Sequence, residues 1–77
     1  MKKLGQVLHQ AKSGNLIVKA EVFLKPSIPV FDESGKRIGF VVETFGPVSS
    51  PYVSVKPTTD RVRKLIGEQL YMYMESD

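Results

Sequence analysis

Apolar and polar positions alternate along this chain in short runs, and clusters of Gly, Pro, Ser and Asp separate the runs. Helical spacing is nearly absent, so the pattern predicts a small all-β sandwich or barrel. The first predicted strand covers residues 4–11. Lys12-Ser13-Gly14-Asn15 then turns the chain into a second at residues 16–20 or 16–21, which makes a hairpin. Val22-Phe23-Leu24 leads into Lys25-Pro26-Ser27-Ile28-Pro29, whose two prolines lack a ladder donor and predict a crossover or edge segment. Val30-Phe31 is a short strand before the turn Asp32-Glu33-Ser34-Gly35. Further strands are expected at residues 36–45, 52–56 and 68–74.

The run from Gly35 to Pro57 carries more apolar surface than one small domain can readily bury. By alternation Ile38, Phe40 and Val42 fall on one face of the long strand and Gly39, Val41 and Phe45 on the other, so neither face is polar. Gly39 in mid-strand suits the bulge or coil at which a barrel strand pairs on both sides. Phe45-Gly46-Pro47-Val48 then breaks the strand, and Ser49-Ser50-Pro51 continues a stiff apolar loop. These features predict a partner-docking surface of Val41, Phe45, Gly46, Pro47, Val48, Pro51 and Tyr52, with Val30 and Phe31 joining across the sheet. Plugging the barrel end is the competing role for these residues. Phe45 and Tyr52 are the expected anchors, because rigid aromatics dominate binding energy at interfaces.

Beyond the loop, Val53 and Val55 are expected inward and Tyr52, Ser54 and Lys56 outward. Asp60 is placed to cap a short helical turn with Val62, Leu65 and Ile66 on one side and Gly67 at its end; a charged loop is the alternative. In the last strand Leu70, Met72 and Met74 are expected inward, with Tyr71 and Tyr73 on the wall. Residues 1–74 therefore read as a single barrel domain and 75–77 as a disordered tail. No internal repeat or low-complexity segment is evident.

Seventy-seven residues bury only about 60–65% of their unfolded surface, so docking on a larger protein would add stability. The absence of cysteine excludes disulfides, thiolate metal sites and cysteine nucleophiles. A net charge of +3 is mild, and the eleven Lys and Arg are spread along the chain as solvated side chains rather than in one block. His9 is the only histidine, and Asp32, Glu33 and Glu43 would need a cleft to act as acid and base. Gly35-Lys36-Arg37-Ile38-Gly39 lacks the strand and helix that frame a phosphate loop, and a hairpin turn explains it. No enzyme, metal, cofactor or small-molecule substrate is expected. The basic start at Lys2-Lys3 has no apolar run of signal-peptide length after it, and no segment has the length of a membrane span. The expected setting is the cytoplasm.

Ile38-Gly39 before a hydrophobic strand, Phe45-Gly46-Pro47-Val48, Pro51-Tyr52-Val53 and Val55-Lys56-Pro57 occur in an order that resembles the glycine-arginine-rich subunit of H/ACA ribonucleoproteins, in its short archaeal form. Leu4-Gly5-Gln6-Val7-Leu8-His9, Asn15-Leu16-Ile17-Val18 and Gly67-Glu68-Gln69-Leu70-Tyr71 extend the resemblance over nearly the whole chain. The resemblance implies a closed six-stranded barrel of the reductase, isomerase and elongation-factor type. It further implies a non-catalytic subunit that docks on the pseudouridine synthase catalytic subunit and acts on that enzyme's mobile substrate loop. Contact with guide and substrate RNA would be indirect, and a eukaryotic host would place the particle in the nucleolus. The family's glycine- and arginine-rich tails have no counterpart here, with six Gly and no RGG run, so a tail function does not carry over. Two other readings stand beside it: an assembly factor sharing the barrel, and a free-standing RNA-binding barrel that stacks bases on Tyr52, Tyr71 or Tyr73. Without a partner, the exposed apolar face is a self-association hazard.

Overall fold

The computed structural model describes residues 2–73. Six strands, β1 (Lys2–Gln10), β2 (Leu16–Lys19), β3 (Pro29–Phe31), β4 (Arg37–Phe45), β5 (Tyr52–Pro57) and β6 (Gln69–Met72), form an antiparallel barrel. It closes in the order β1-β2-β5-β4-β3-β6. The sequence pattern anticipated all six strands, and the family resemblance implied the closure that the structure shows. Met74 and the tail at residues 75–77 lie outside the described residues.

The core is aliphatic: Leu4, Val7, Leu16, Val18, Val30, Ile38, Val41, Val53, Val55, Leu70 and Met72 are buried. Simple alternation describes β2 and β6 but fails in the two nine-residue strands and in β5, where Ser54, expected outward, is buried between Val53 and Val55 and accepts from the Asn15 side-chain amide at 3.2 Å. In β4 both Ile38 and Val41 face the core, three positions apart. The register shifts twice, at Ile38 against β3 and at Val42 against β5, and each shift leaves one β4 residue without an opposite number. Each bulge re-aims the side chains beyond it, so the expected face of Ile38, Phe40 and Val42 does not exist as one surface.

Strand β1 repeats this device. Its shifts fall at Leu4 against β6 and at Leu8 against β2, and Leu4 and Val7 are buried while Leu8 is exposed. Leu4-Gly5-Gln6-Val7-Leu8 and Ile38-Gly39-Phe40-Val41-Val42 thus share one pattern, a local repeat that the sequence reading overlooked. The glycine has the same task in both. A Cβ on Gly5 would collide with the Lys19 carbonyl oxygen, and one on Gly39 with that of Lys56. The long strands pair on both sides of the barrel because these backbones approach so closely.

Residues 58–68 close one end. The turn Val62–Leu65 is a 3₁₀ helix preceded by Arg61, without a side-chain cap, so Asp60 does not take the capping role expected of it. Leu65 is buried and Val62 packs on the core, whereas Ile66 is exposed, because a 3₁₀ turn of three residues carries it off that face.

Candidate protein-docking surface

Strand β4 runs from the β3–β4 turn at one end of the barrel to the β4–β5 loop at the other. At that loop Phe45 pairs with Tyr52 across the β4–β5 ladder. Their rings stack with centroids 5.8 Å apart and an interplanar angle of 30°. Lys19 stands opposite Tyr52 on β2, its Nζ 4.4 Å from the ring centroid and donating to the phenol oxygen at 3.4 Å. Phe45, Tyr52 and Lys19 therefore make one row over three adjacent strands, each ring held by a neighbour. Phe45 remains 41% exposed and Val48, beyond it in the loop, 82%. Gly46 and Pro47 are exposed as well.

Other residues expected on this surface sit elsewhere. Val30 and Val41 are core residues, and Pro51 is fully buried, its carbonyl accepting the Ala20 amide at 2.9 Å. They support the surface from within. Phe31 is half-buried, pairs with Tyr71 and Arg37, and meets Tyr73 edge-on at 4.9 Å between centroids. Arg37 begins β4 and Phe45 ends it, so Phe31 and the Phe45 row lie toward opposite ends of the strand, at most roughly 26 Å apart at about 3.3 Å per residue and less for the two bulges.

The crossover supplies two residues that the sequence reading did not single out. Val22 is 43% and Phe23 50% exposed. The Ala20 amide binds Pro51 on one side of them, and Leu24 exchanges hydrogen bonds with the Thr44 hydroxyl, at 3.1 and 2.9 Å, on the other. Val22 and Phe23 are thereby bracketed to the Phe45–Tyr52 end. The available signal was an apolar triplet without alternation immediately before a proline segment.

A family model described as the Gar1/Naf1 RNA binding region matches residues 1–77. The chain belongs to the Gar1/Naf1 family. Among similar proteins is one of Methanothermobacter thermautotrophicus described as uncharacterized, 37% identical over 76 residues, which are 94% of this chain and 83% of that one. The H/ACA ribonucleoprotein complex subunit GAR1 of Encephalitozoon cuniculi is 33% identical over 75 residues, 95% of this chain and 41% of that protein. A third relative, from Methanocaldococcus jannaschii, is 38% identical over 53 residues, 68% of this chain and 63% of its own. Gar1/Naf1 membership thus rests on the whole barrel, whereas the chain spans less than half of the Encephalitozoon subunit.

The chemistry of the remaining candidates is plain. His9 and Glu43 are exposed strand residues, and Glu33 lies exposed in the β3–β4 turn. Asp32 Oδ1 accepts the amides of Ser34 and Lys36, both at 2.9 Å, and the Ser34 hydroxyl at 2.6 Å. That hydroxyl does most to hold its carboxyl below the ordinary value; partial burial opposes it, and the two amides and the Lys36 charge assist. Among the described residues no three of His, Cys, Asp and Glu gather as a metal site. No helix among them is long and apolar enough to cross a membrane.

Proposed function

We propose that this protein is a non-catalytic barrel subunit of an H/ACA RNA-guided pseudouridylation particle, docking through the Phe45 end on the catalytic domain of the pseudouridine synthase. Membership of the Gar1/Naf1 family carries the reading, and the relative named as an H/ACA ribonucleoprotein subunit supports it. The row of exposed Phe45 and half-buried Tyr52, with Val48, Val22 and Phe23 at the same end, is the surface assigned to docking. Its rings are already packed against neighbours, so little side-chain freedom is lost on binding.

Docked there, the subunit acts on the synthase's substrate loop to aid RNA loading and product release. Such an effect requires unequal affinity for two loop positions, since equal binding shifts no population. Adding the protein to synthase and guide RNA should therefore raise the multiple-turnover rate more than the single-turnover rate. Equal acceleration of both would overturn the release mechanism. Calorimetric titration against the synthase tests docking itself: tight one-to-one binding that survives high salt is expected, and no binding would overturn the reading.

A further inference from the structure

A charge stands in the row of residues whose apolar contact is to carry docking. The Lys19 Nζ lies 4.4 Å from the Tyr52 ring centroid and donates to the phenol oxygen at 3.4 Å, while Phe45 stacks on Tyr52 from the other flanking strand. Both Lys19 and Tyr52 are half-buried. An ammonium has three protons to give, and the phenol oxygen receives one of them; the other two, and the phenol's own proton, remain for an outside acceptor. Two donors of different kind, 3.4 Å apart, therefore stand together at the end where Phe45, Val48, Val22 and Phe23 are exposed. Beside them opens a recess of about 300 Å³ whose charged lining is Lys3, Lys19 and Glu21, two ammonium groups to one carboxylate.

We propose that Lys19 and the Tyr52 hydroxyl recognise a carboxylate, an aspartate or glutamate side chain set in an apolar face of the docking partner. The inference rests on the docking reading above and names the polar group that this surface selects. A partner that packs on Tyr52 also covers the ammonium beside its ring, and a cation stripped of water without an acceptor is heavily penalised. A carboxylate removes that penalty, one oxygen accepting from the ammonium and the other from the hydroxyl. A neutral face of the same shape leaves both donors unpaired, so the pair discriminates between partners of equal apolar fit. A protein carboxylate suits the site better than a phosphodiester, because a sugar-phosphate chain would leave the exposed Phe45, Val48, Val22 and Phe23 in water. Glu21 lines the same recess and is exposed, yet the ammonium is turned to Tyr52.

Calorimetric and kinetic titration of the synthase with variants of the full chain tests it. Lys19→Met keeps a stem that covers the ring and removes the charge, so a purely packing role for Lys19 would leave affinity unchanged. The expected result is a loss of roughly 10- to 100-fold, expressed mainly as faster dissociation. Tyr52→Phe should cost roughly three- to tenfold, and the two substitutions together less than the product of their separate losses, since both donors serve one carboxylate. Lys19→Arg should bind within a few-fold of the parent, and every variant should keep the parental Tm. Lys19→Met within twofold of the parent, or losses that simply multiply, would overturn the proposal. Acetate titration of the free protein, followed by NMR at the Lys19 and Tyr52 amides, reads the pair without the synthase. Shifts there that vanish in Lys19→Met, with a synthase that does not bind the parent, would keep the carboxylate site and reject the synthase as its docking partner. No shifts and no synthase binding would overturn both readings. Inorganic phosphate shifting the pair where acetate does not, or single-stranded RNA binding that is lost in Lys19→Met, would overturn the carboxylate in favour of a phosphodiester.

Discussion

Replacing Gly39 by alanine tests the account of the barrel most directly. The added Cβ would stand 3.0 Å from the Lys56 carbonyl carbon and 3.1 Å from Pro57 Cα, and closer still to the Lys56 oxygen. All three are backbone atoms, so no side chain can rotate away. Restoring an ordinary separation of about 3.5 Å requires β4 and β5 to part by roughly 1 Å. That stretches neighbouring ladder bonds beyond hydrogen-bonding range. Losing two or three of them at about 1 kcal/mol each, with residual strain, costs about 3 kcal/mol. A chain of this length has only about 4–12 kcal/mol of stability, so the Tm should fall by roughly 12–24 °C. Thermal unfolding by circular dichroism measures the fall, and hydrogen exchange should show lost protection of the Thr58 amide, which bonds Ile38 beside the collision. A variant within about 1 kcal/mol of the parent, with Thr58 still protected, would refute close strand approach as the reason for glycine at this position.

Phe45→Ala should weaken docking on the synthase. With 41% of the residue exposed, covering about 80 Å² is worth about 2 kcal/mol, or roughly 30-fold in Kd by calorimetry; less than threefold in a folded variant would remove Phe45 as an anchor. Asp32→Ala should lower the Tm by a few degrees at neutral pH, through its lost turn bonds. Because the folded pKa of Asp32 is depressed, its stabilisation is present above the unfolded value and lost as pH falls through the folded one. The Tm gap should therefore close progressively below about pH 4, and a gap constant from neutral pH to pH 2 would contradict the charge assignment.

The six strands were legible because turn chemistry punctuates the chain wherever the barrel reverses: Ser13-Gly14, Ser34-Gly35, Gly46-Pro47 and the two prolines of the crossover. The inward valines of β5 were legible for the same local reason. Ile38 and Val41 facing the core together was not, because bulges are set by pairing with partners remote in sequence. The aromatic pair at Phe45 and Tyr52 was found by its loop, but burial of Val30 and Val41 depends on closure, which alternation alone cannot report. Lys19, Val22 and Phe23 join the surface through cross-strand neighbours. Local patterns carried the elements; contacts between distant segments decided which residues share a surface.

Closure of the strand order upon itself also limits how anything can attach to this protein. A sheet with a free edge can recruit a partner by lending it backbone amides and carbonyls, and the guest then need only be extended. Here every strand has a neighbour on each side, although β3 and β6 meet only at the pair Phe31–Tyr71, so little backbone is left to lend. Recognition along the strands falls to side chains on the wall and to the loops at its ends. The surface can thus be retuned one residue at a time without disturbing the register beneath it.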